Sequence, residues 1–282
     1  MRSAARRQQQ VSFLAVSRAL YVTSTTATWI FCTKRNIVPV VSTGLHHMRC
    51  SFLIAALFAA SLFAAEPPLS PVRVVLVGDS TVNDEGGWGP GFRAFFGPEL
   101  QVVNLARNGR SSKSFRSEGL WAPAIAGKPD YILIQFGHND GPGKGADRET
   151  DPKTTFRENM TRYIEEARAA GAQPVLVTSI VRRTFTPDGK IKPDSLLPYV
   201  EAIRELAAAQ KLPLIDLYSL TVAQAEQLGP DGCGDIDARL PDGKRDHTHL
   251  GLKGRQEIGR MAAQEFVKLI PAVRSYTAPA LP

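Results

Sequence analysis

The stretch VRVVLVGDST, residues 72–81, decides the fold. Its first six residues are apolar except for one arginine, and the run stops at a glycine that is followed by small polar residues. A short, almost continuously apolar run of this kind predicts a buried strand of a parallel sheet. The serine after it, Ser80, is then expected in the turn at the carboxyl edge of that sheet.

Four further apolar runs follow, and longer amphipathic segments separate them. This alternation predicts an α/β fold, a flavodoxin-like three-layer α/β/α domain with a five-stranded parallel sheet. Two long loops are predicted at the carboxyl side of the sheet, over residues 141–150 and 228–246, where open sheets of this type bind ligands. The predicted strands are residues 72–78, 100–106, 130–137, 173–180 and 212–218, and the predicted helices are residues 151–171, 194–210 and 252–270.

The sequence before residue 66 has the composition of a leader. Residues 48–65 join a Met-Arg start to an apolar run that ends in small residues, which predicts a signal peptide and a secreted or periplasmic protein. The run is short for a membrane anchor. Residues 1–47 are interpreted as an over-extended reading frame, with a transit peptide as the alternative, and residues 66–282 as one catalytic domain.

The formal net charge of +7 comes entirely from this leader. Residues 1–65 contain seven Lys or Arg and no acidic residue, so 27 basic and 27 acidic residues remain from Glu66 onward. The balance argues against a nucleic-acid partner, and we expect no stable membrane insertion after cleavage and a monomer. Cys32 and Cys50 lie in the leader, which leaves Cys233 without an intramolecular disulfide partner.

Polar residues follow the predicted strands at the positions that an acyl-transfer site needs. Ser80 ends the first run in GDST, Gly109 follows the second in NGRSS, and Asn139 follows the third in GHND. Asp246 and His249 stand three apart in DHTH, before the last helix. The chain therefore resembles the SGNH (GDSL-like) hydrolases, a family named for a serine, a glycine, an asparagine and a histidine in four such blocks.

The blocks indicate a Ser-His-Asp mechanism. His249 is expected to take the proton of Ser80 as a general base, and Asp246 to hold the imidazole in the correct tautomer. Asp79, beside the nucleophile, either is catalytic or stiffens the turn by bonding its backbone, and we expect the second.

An oxyanion hole completes the expected site. The backbone N–H groups of Ser80 and Gly109 and the side-chain amide of Asn139 are the expected donors, and each is worth a factor of roughly 10²–10³ in rate. Such a mechanism needs no cofactor and no metal.

More narrowly, the segments GDSTV, GWG at 87–89, NGRSSKSF and DHTHLGLKG resemble the rhamnogalacturonan acetylesterase branch. The resemblance implies that the substrate is an acetylated pectic polysaccharide. Alternatives are an esterase of the same mechanism acting on xylan, on a lipid or on a thioester, or a non-catalytic carbohydrate-binding or envelope protein on the same fold.

Several side chains near these blocks allow two interpretations. Trp88 and Trp121 either stack on sugar rings or belong to the core. Arg110, Lys113 and Arg116 either attract an acidic pectic chain or lie on a solvent-facing loop.

His247 either is structural or lines the leaving-group side of the site. It also forms, with His249, a pair at alternate positions that is an alternative metal site. The acidic cluster of Asp231, Asp235 and Asp237 either holds calcium or is a solvated loop.

Overall fold

A computed structural model describes residues 69–279. The strands of its main sheet are β1 (Val72–Val77), β2 (Leu100–Asn104), β3 (Tyr131–Ile134), β4 (Gln173–Val177) and β5 (Leu214–Ile215). All neighbouring strands pair in parallel, in the order β2-β1-β3-β4-β5. The predicted five-stranded parallel sheet is confirmed. The chain turns in opposite directions on the two sides of β1, which is the switch point where such sheets open a crevice.

The helices lie between and after these strands. They are α1 (Gly89–Ala94), α2 (Ser114–Ser117), α3 (Ala122–Ala126), α4 (Thr155–Ala169), α5 (Leu197–Gln210), α6 (Leu217–Gly232) and α7 (Leu252–Leu269). Two further strands, β6 (Asp237–Arg239) and β7 (Arg245–Leu250), form a separate antiparallel hairpin, and 3₁₀ turns span Cys233–Asp235 and Pro271–Tyr276.

Alternate residues of the strands face opposite sides of the sheet, as the two-residue period of a strand requires. Val74 and Leu76 belong to the core that the sheet shares with α1 and α7. Val75 and Val77 belong to the core that it shares with α4 and α5. Burial on both faces explains why β1 reads as a nearly continuous apolar run, and it confirms the three-layer architecture.

The predicted helices are found, the first two with later starts and the last with an earlier end. The first was expected to begin at Asp151, but that residue opens a turn, residues 152–154, that precedes α4. Its carboxylate accepts hydrogen bonds from the backbone N–H groups of Lys153 at 2.8 Å and Thr154 at 3.0 Å. The second begins at Leu197 rather than Asp194, and the last ends at Leu269.

The prediction of a strand over residues 212–218 is largely wrong. Only Leu214–Ile215 pair with β4, because Asp216 begins the next helix as its N-cap. The Asp216 carboxylate accepts a hydrogen bond from the Ser219 hydroxyl at 2.8 Å. A helix, α6, therefore occupies a segment for which the sequence pattern predicted none.

The loop predicted over residues 228–246 is also corrected. It contains the end of α6, a 3₁₀ turn, and the hairpin of β6 and β7, so Asp246 and His249 lie on a strand rather than in a turn. The loop over residues 141–150 contains neither helix nor strand, as predicted.

The leader predictions, residues 1–47 and 48–65, lie outside the described residues, as do Cys32 and Cys50. Cys233 is a buried free thiol. Between residues 69 and 279, none of the helices combines the length and the apolar character that a membrane span requires.

Candidate active site

Ser80 lies in the turn directly after β1, and its side chain is half-buried. The turn is built by Asp79, whose backbone carbonyl accepts hydrogen bonds from the N–H groups of Val82 and Asn83 at 3.2 Å. The Asp79 carboxylate accepts two more from Thr81, from its N–H at 2.8 Å and from its hydroxyl at 2.7 Å. Burial raises the pKa of Asp79, although the Thr81 bonds oppose the shift. Asp79 therefore bonds the turn's backbone, as expected.

A hydrogen-bonded series of buried polar side chains holds this turn on its inner side. The indole N–H of Trp88 donates to Gln135 at 2.9 Å, and the Gln135 amide donates to the Thr81 hydroxyl at 2.7 Å. Trp88 is 0% exposed. The interpretation of Trp88 as a sugar-stacking residue is therefore wrong, because a ring without exposed surface cannot meet a substrate.

The structure brings Ser80, His249 and Asp246 into one hydrogen-bonded series. The Ser80 Oγ lies 2.8 Å from His249 Nε2, although the two residues are 169 positions apart in the chain. On the other side of the ring, His249 Nδ1 lies 2.7 Å from Asp246 Oδ2. This order of contacts is the one required for a base that is oriented by a carboxylate.

Asp246 is held by its own strand as well as by the imidazole. Its Oδ1 accepts hydrogen bonds from the backbone N–H groups of Thr248 at 2.9 Å and His249 at 3.1 Å. Burial alone raises the pKa of a carboxyl, but the bonds from the His249 ring and from these N–H groups hold the pKa of Asp246 below its ordinary value. Asp246 is therefore anionic at neutral pH.

The sequence did not reveal what holds the strand that carries His249. Arg183 is fully buried, and its guanidinium donates to the Asp237 carboxylate and, at 2.7 Å, to the backbone carbonyl of His249. The Arg183 backbone N–H donates to the carbonyl of His247 at 2.9 Å. Arg245 donates to the other Asp237 oxygen at 2.9 Å. The buried ion pair thus fixes β7 against the segment after β4.

The expected oxyanion residues lie on neighbouring loops. Gly109 has a φ of +73°, which glycine adopts without strain. Its loop is fixed on one side by Arg107, whose N–H donates to the Gly78 carbonyl at 3.0 Å. On the other side, the Asn139 amide donates to the Arg110 carbonyl at 3.2 Å. That amide carries a second hydrogen, which remains for a further acceptor.

Asp140 joins the loop after β3 to the loop that contains Gly109. Its buried carboxylate accepts hydrogen bonds from the Ser112 N–H at 3.0 Å and hydroxyl at 2.5 Å, and from the Thr150 hydroxyl at 3.0 Å. Tyr199 donates to the Asp140 carbonyl at 3.0 Å. Burial raises the pKa of Asp140 from its ordinary value of 3.8 to about 7, although the Ser112 and Thr150 bonds oppose the shift.

This pKa predicts how stability changes with pH. The folded-state pKa of Asp140 exceeds its unfolded value, so its contribution is fully present below pH about 4 and is lost as pH rises through about 7. Asp140→Asn does not titrate. Urea unfolding measures the free energy of unfolding of both proteins at each pH. We expect the wild-type value, taken relative to that of the variant, to fall by on the order of 4 kcal/mol between these pH values. A difference between the two proteins that stays constant with pH would contradict the assignment.

The other predicted substrate contacts are mostly engaged within the protein. Trp121 is 4% exposed, and its indole N–H donates to Glu166 at 2.6 Å, so its interpretation as a sugar-stacking residue is also wrong. Arg110 pairs with Glu118 at 2.8 Å, and Arg116 pairs with Glu166 at 2.6 Å.

His247 is exposed, and its Nδ1 lies 3.3 Å from the Asp237 carboxylate. Both ring nitrogens of His249 are already bonded to Ser80 and Asp246, which leaves none for a metal shared with His247. Asp237 faces arginines, and Asp235 lies 3.2 Å from Lys253. Over residues 69–279, His, Cys, Asp and Glu nowhere form a group of three or more that is arranged for a metal ion.

A serine, a histidine and an aspartate in hydrogen-bonded order, at the switch point of a doubly wound parallel sheet, define the class of α/β serine hydrolases. The chain belongs to the GDSL-like lipase/acylhydrolase family, whose family model matches residues 76–256. It is accordingly a carboxylic-ester hydrolase, as the sequence blocks predicted.

Relatives from bacteria and fungi match most of the domain. The rhamnogalacturonan acetylesterase RhgT of Bacillus subtilis (strain 168) is 37% identical over 217 residues, which cover 71% of this chain and 91% of that protein. The rhamnogalacturonan acetylesterase of Emericella nidulans is 29% identical over 222 residues, covering 70% and 84% of the two chains. The crystal structure of YxiM from B. subtilis superposes with a TM-score of 0.58 at 28% identity, covering 72% of this chain and 58% of that one.

Proposed function

We propose that this protein removes acetyl groups from a plant cell-wall polysaccharide, most specifically rhamnogalacturonan, through an acetyl-serine intermediate. The observation that carries the proposal is the hydrogen-bonded series from Ser80 through His249 to Asp246 at the carboxyl edge of the sheet. The names of the bacterial and fungal relatives, both rhamnogalacturonan acetylesterases, support the substrate.

In the first half of the reaction, Ser80 Oγ attacks the acetyl carbonyl carbon while its proton passes to His249 Nε2. The carbonyl oxygen becomes negative, and the N–H groups of Ser80 and Gly109 and the free amide hydrogen of Asn139 are the donors that stabilise it. The bond from carbon to the sugar oxygen then breaks. That oxygen accepts the proton that His249 took from Ser80, and it leaves as a sugar hydroxyl.

In the second half, water replaces the sugar. His249 accepts a proton from the water, whose oxygen attacks the acetyl-serine carbonyl, and the same donors stabilise the second oxyanion. The bond to Ser80 Oγ breaks, His249 returns the proton to that oxygen, and acetate leaves. Asp246 stabilises the imidazolium that forms in each half.

The surroundings of Ser80 favour a polar substrate over a lipid. The neighbouring loops expose polar side chains, among them those of Glu85, Arg107, Asn108 and His247. Leu252, three residues after His249, is a large exposed apolar residue, but a single leucine does not form a groove for an acyl chain.

Release of acetate tests the proposal. The full chain is incubated with acetylated rhamnogalacturonan, acetylated xylan and chitin fragments at equal acetyl concentrations, and we expect kcat/KM to be highest on rhamnogalacturonan. Acetate released from xylan alone would overturn the pectic assignment and leave the serine mechanism standing. No acetate from any acetylated glycan would overturn the proposed function.

Export is part of the same proposal. It rests on the pattern of residues 48–65, in which an Arg near the start precedes an apolar run and small residues. N-terminal sequencing of the protein recovered outside the producing cell tests it, and we expect the mature chain to begin near Glu66. A mature chain that retains residues 48–65 would contradict a cleaved signal peptide.

A further inference from the structure

The loop over residues 141–150 places a cation beside the expected oxyanion hole. The Nη1 atom of Arg148 lies 3.8 Å from the point where a Cβ on Gly109 would stand. The guanidinium therefore lies beside the position that a side chain would occupy on the residue whose N–H is an oxyanion donor in the proposed mechanism. A side chain on residue 109 would occupy the space beside the Arg148 guanidinium.

Arg148 has no partner of its own within residues 69–279. No carboxylate of this region comes within ion-pair distance of the half-exposed guanidinium, and it donates no hydrogen bond there. Its neighbour Glu149 lies outside ion-pair distance of it, and the Glu149 carboxylate accepts the N–H of Gly145 at 2.8 Å. Arg110 and Arg116, by contrast, each pair with a glutamate.

The loop that carries Arg148 is fastened in several places. The Arg148 N–H donates to the Gly145 carbonyl at 2.9 Å, and Lys113 Nζ donates to the Ala146 carbonyl at 2.7 Å. At the end of the loop, the Thr150 N–H donates to the Asp140 carbonyl at 2.9 Å. Since the backbone is already ordered, a ligand that meets this guanidinium has little loop ordering left to impose.

We propose that Arg148 is a specificity-determining residue that binds a uronate carboxylate of the polysaccharide close to the acetyl group under attack. This inference rests on the proposed function and goes beyond it, since it names the chemical group of the substrate that the enzyme reads. An arginine presents its N–H groups in a planar fork that fits a carboxylate, and bonds of this charged type are about twice as strong as neutral ones.

Arg107 supplies a second cation in the loop that carries Gly109. Its side chain is exposed at the end of the β2 connection, while its backbone N–H is fixed to the Gly78 carbonyl at 3.0 Å. The domain from Glu66 onward has a formal charge of zero, so the attraction of an acidic polysaccharide must come from local cations rather than from net charge.

An inhibition experiment tests the anion site without relying on pectin hydrolysis. Oligogalacturonate that carries no acetyl group competes with p-nitrophenyl acetate for the wild type, Arg148→Gln and Arg260→Gln. Arg260 is an exposed arginine of α7 and serves as the matched control. We expect Arg148→Gln to raise the inhibition constant about 10-fold, and Arg260→Gln to leave it unchanged. Equal inhibition of all three proteins would overturn the proposal.

A second experiment measures acetate release from acetylated rhamnogalacturonan oligosaccharides and from the same oligosaccharides with methyl-esterified carboxyls. We expect Arg148→Gln to lower kcat/KM on the acidic form about 10-fold more than on the esterified form, mainly through KM. Salt should weaken wild-type turnover of the acidic form more than that of the variant. An equal loss on both forms would mean that Arg148 acts on the oxyanion, and the proposal would fall.

The two experiments separate the failure of this inference from that of the proposed function. If the wild type releases no acetate from rhamnogalacturonan but oligogalacturonate still inhibits it more strongly than it inhibits Arg148→Gln, the substrate assignment fails and the carboxylate site stands. If the wild type releases acetate from both forms and Arg148→Gln does not discriminate between them, the carboxylate site fails and the esterase stands.

Discussion

Ser80→Ala is expected to lower kcat for p-nitrophenyl acetate on the order of 10⁶-fold, because the replacement removes the only atom that forms the covalent bond in the proposed mechanism. The Ser80 hydroxyl is hydrogen-bonded to His249 at 2.8 Å. When that hydroxyl is lost, the hydrogen bonds to Asp79 still hold the turn. We therefore expect the melting temperature to change by only a few degrees. Steady-state kinetics and thermal unfolding measure the two effects.

A covalent label makes this prediction independent of slow residual turnover. An organophosphate that reacts with activated serines should modify the wild type once, on the peptide that contains Ser80, and should leave Ser80→Ala unmodified. Ser117→Ala is the matched control, because Ser117 is exposed and, within residues 69–279, its hydroxyl donates only to the carbonyl of Ser114, at 3.3 Å. Labelling of another serine, or retained turnover in Ser80→Ala, would remove Ser80 from its proposed role.

Asp246→Asn is expected to lower kcat about 10⁴-fold. The asparagine carbonyl can keep the bonds from the N–H groups of Thr248 and His249, but its amide presents N–H to His249 Nδ1 where the carboxylate accepts a hydrogen bond. The imidazole then takes the tautomer whose Nε2 carries a proton, which prevents it from accepting the proton of Ser80. Pre-steady-state and steady-state rates on p-nitrophenyl acetate measure the loss.

Two observations distinguish this effect from general damage. Asp235→Asn is the control, since Asp235 is an exposed carboxylate whose one ion pair among the described residues is with Lys253, and it should retain wild-type rates. The pKa of Asp246 lies below its ordinary value, so activity should not fall because of this carboxyl until the pH drops below the usual carboxylate range. A loss of less than 10-fold in Asp246→Asn would contradict the orienting role.

The sequence predicted the sheet well because its central strands β1, β3 and β4 are buried on both faces and carry a nearly continuous apolar signal. It predicted the edge strand β5 poorly, since Asp216, whose side chain caps α6, lies inside the apolar run. The hairpin of β6 and β7 carries few apolar residues, and its only signal was the spacing of polar ones. Local pattern cannot reveal a strand whose partner is another short polar segment.

The site, like the fold, was predictable only where a local sequence pattern marks a residue. The blocks placed Ser80, Gly109 and Asn139 at one edge, because parallel strands carry their following loops to the same side. His249 lies on the separate hairpin, and only the resemblance to the family placed it at this edge. The support beneath them was not predictable, since it depends on pairings between distant side chains. Gln135, 54 positions from Thr81, is an example.

The role of a single aromatic side chain cannot be predicted from the sequence around it. A tryptophan near a glycine-rich turn is equally compatible with stacking on a sugar and with burial. The structure settles the point for Trp88 and Trp121 through their hydrogen bonds to Gln135 and Glu166. The proposed role of Arg148 could not be predicted from the sequence either. It depends on how close the guanidinium lies to the Gly109 position and on its lack of a partner among residues 69–279, and both are known only from the structure.

The distance along the chain between Ser80 and His249 has a consequence for biosynthesis. A ribosome has translated most of the domain before the imidazole exists, and the strand that carries it needs Arg183 and Asp237 to be in place. A nascent chain, or one that ends before His249, therefore holds an unactivated hydroxyl and cannot cleave esters by this mechanism. Competence arises late, when the final segment docks.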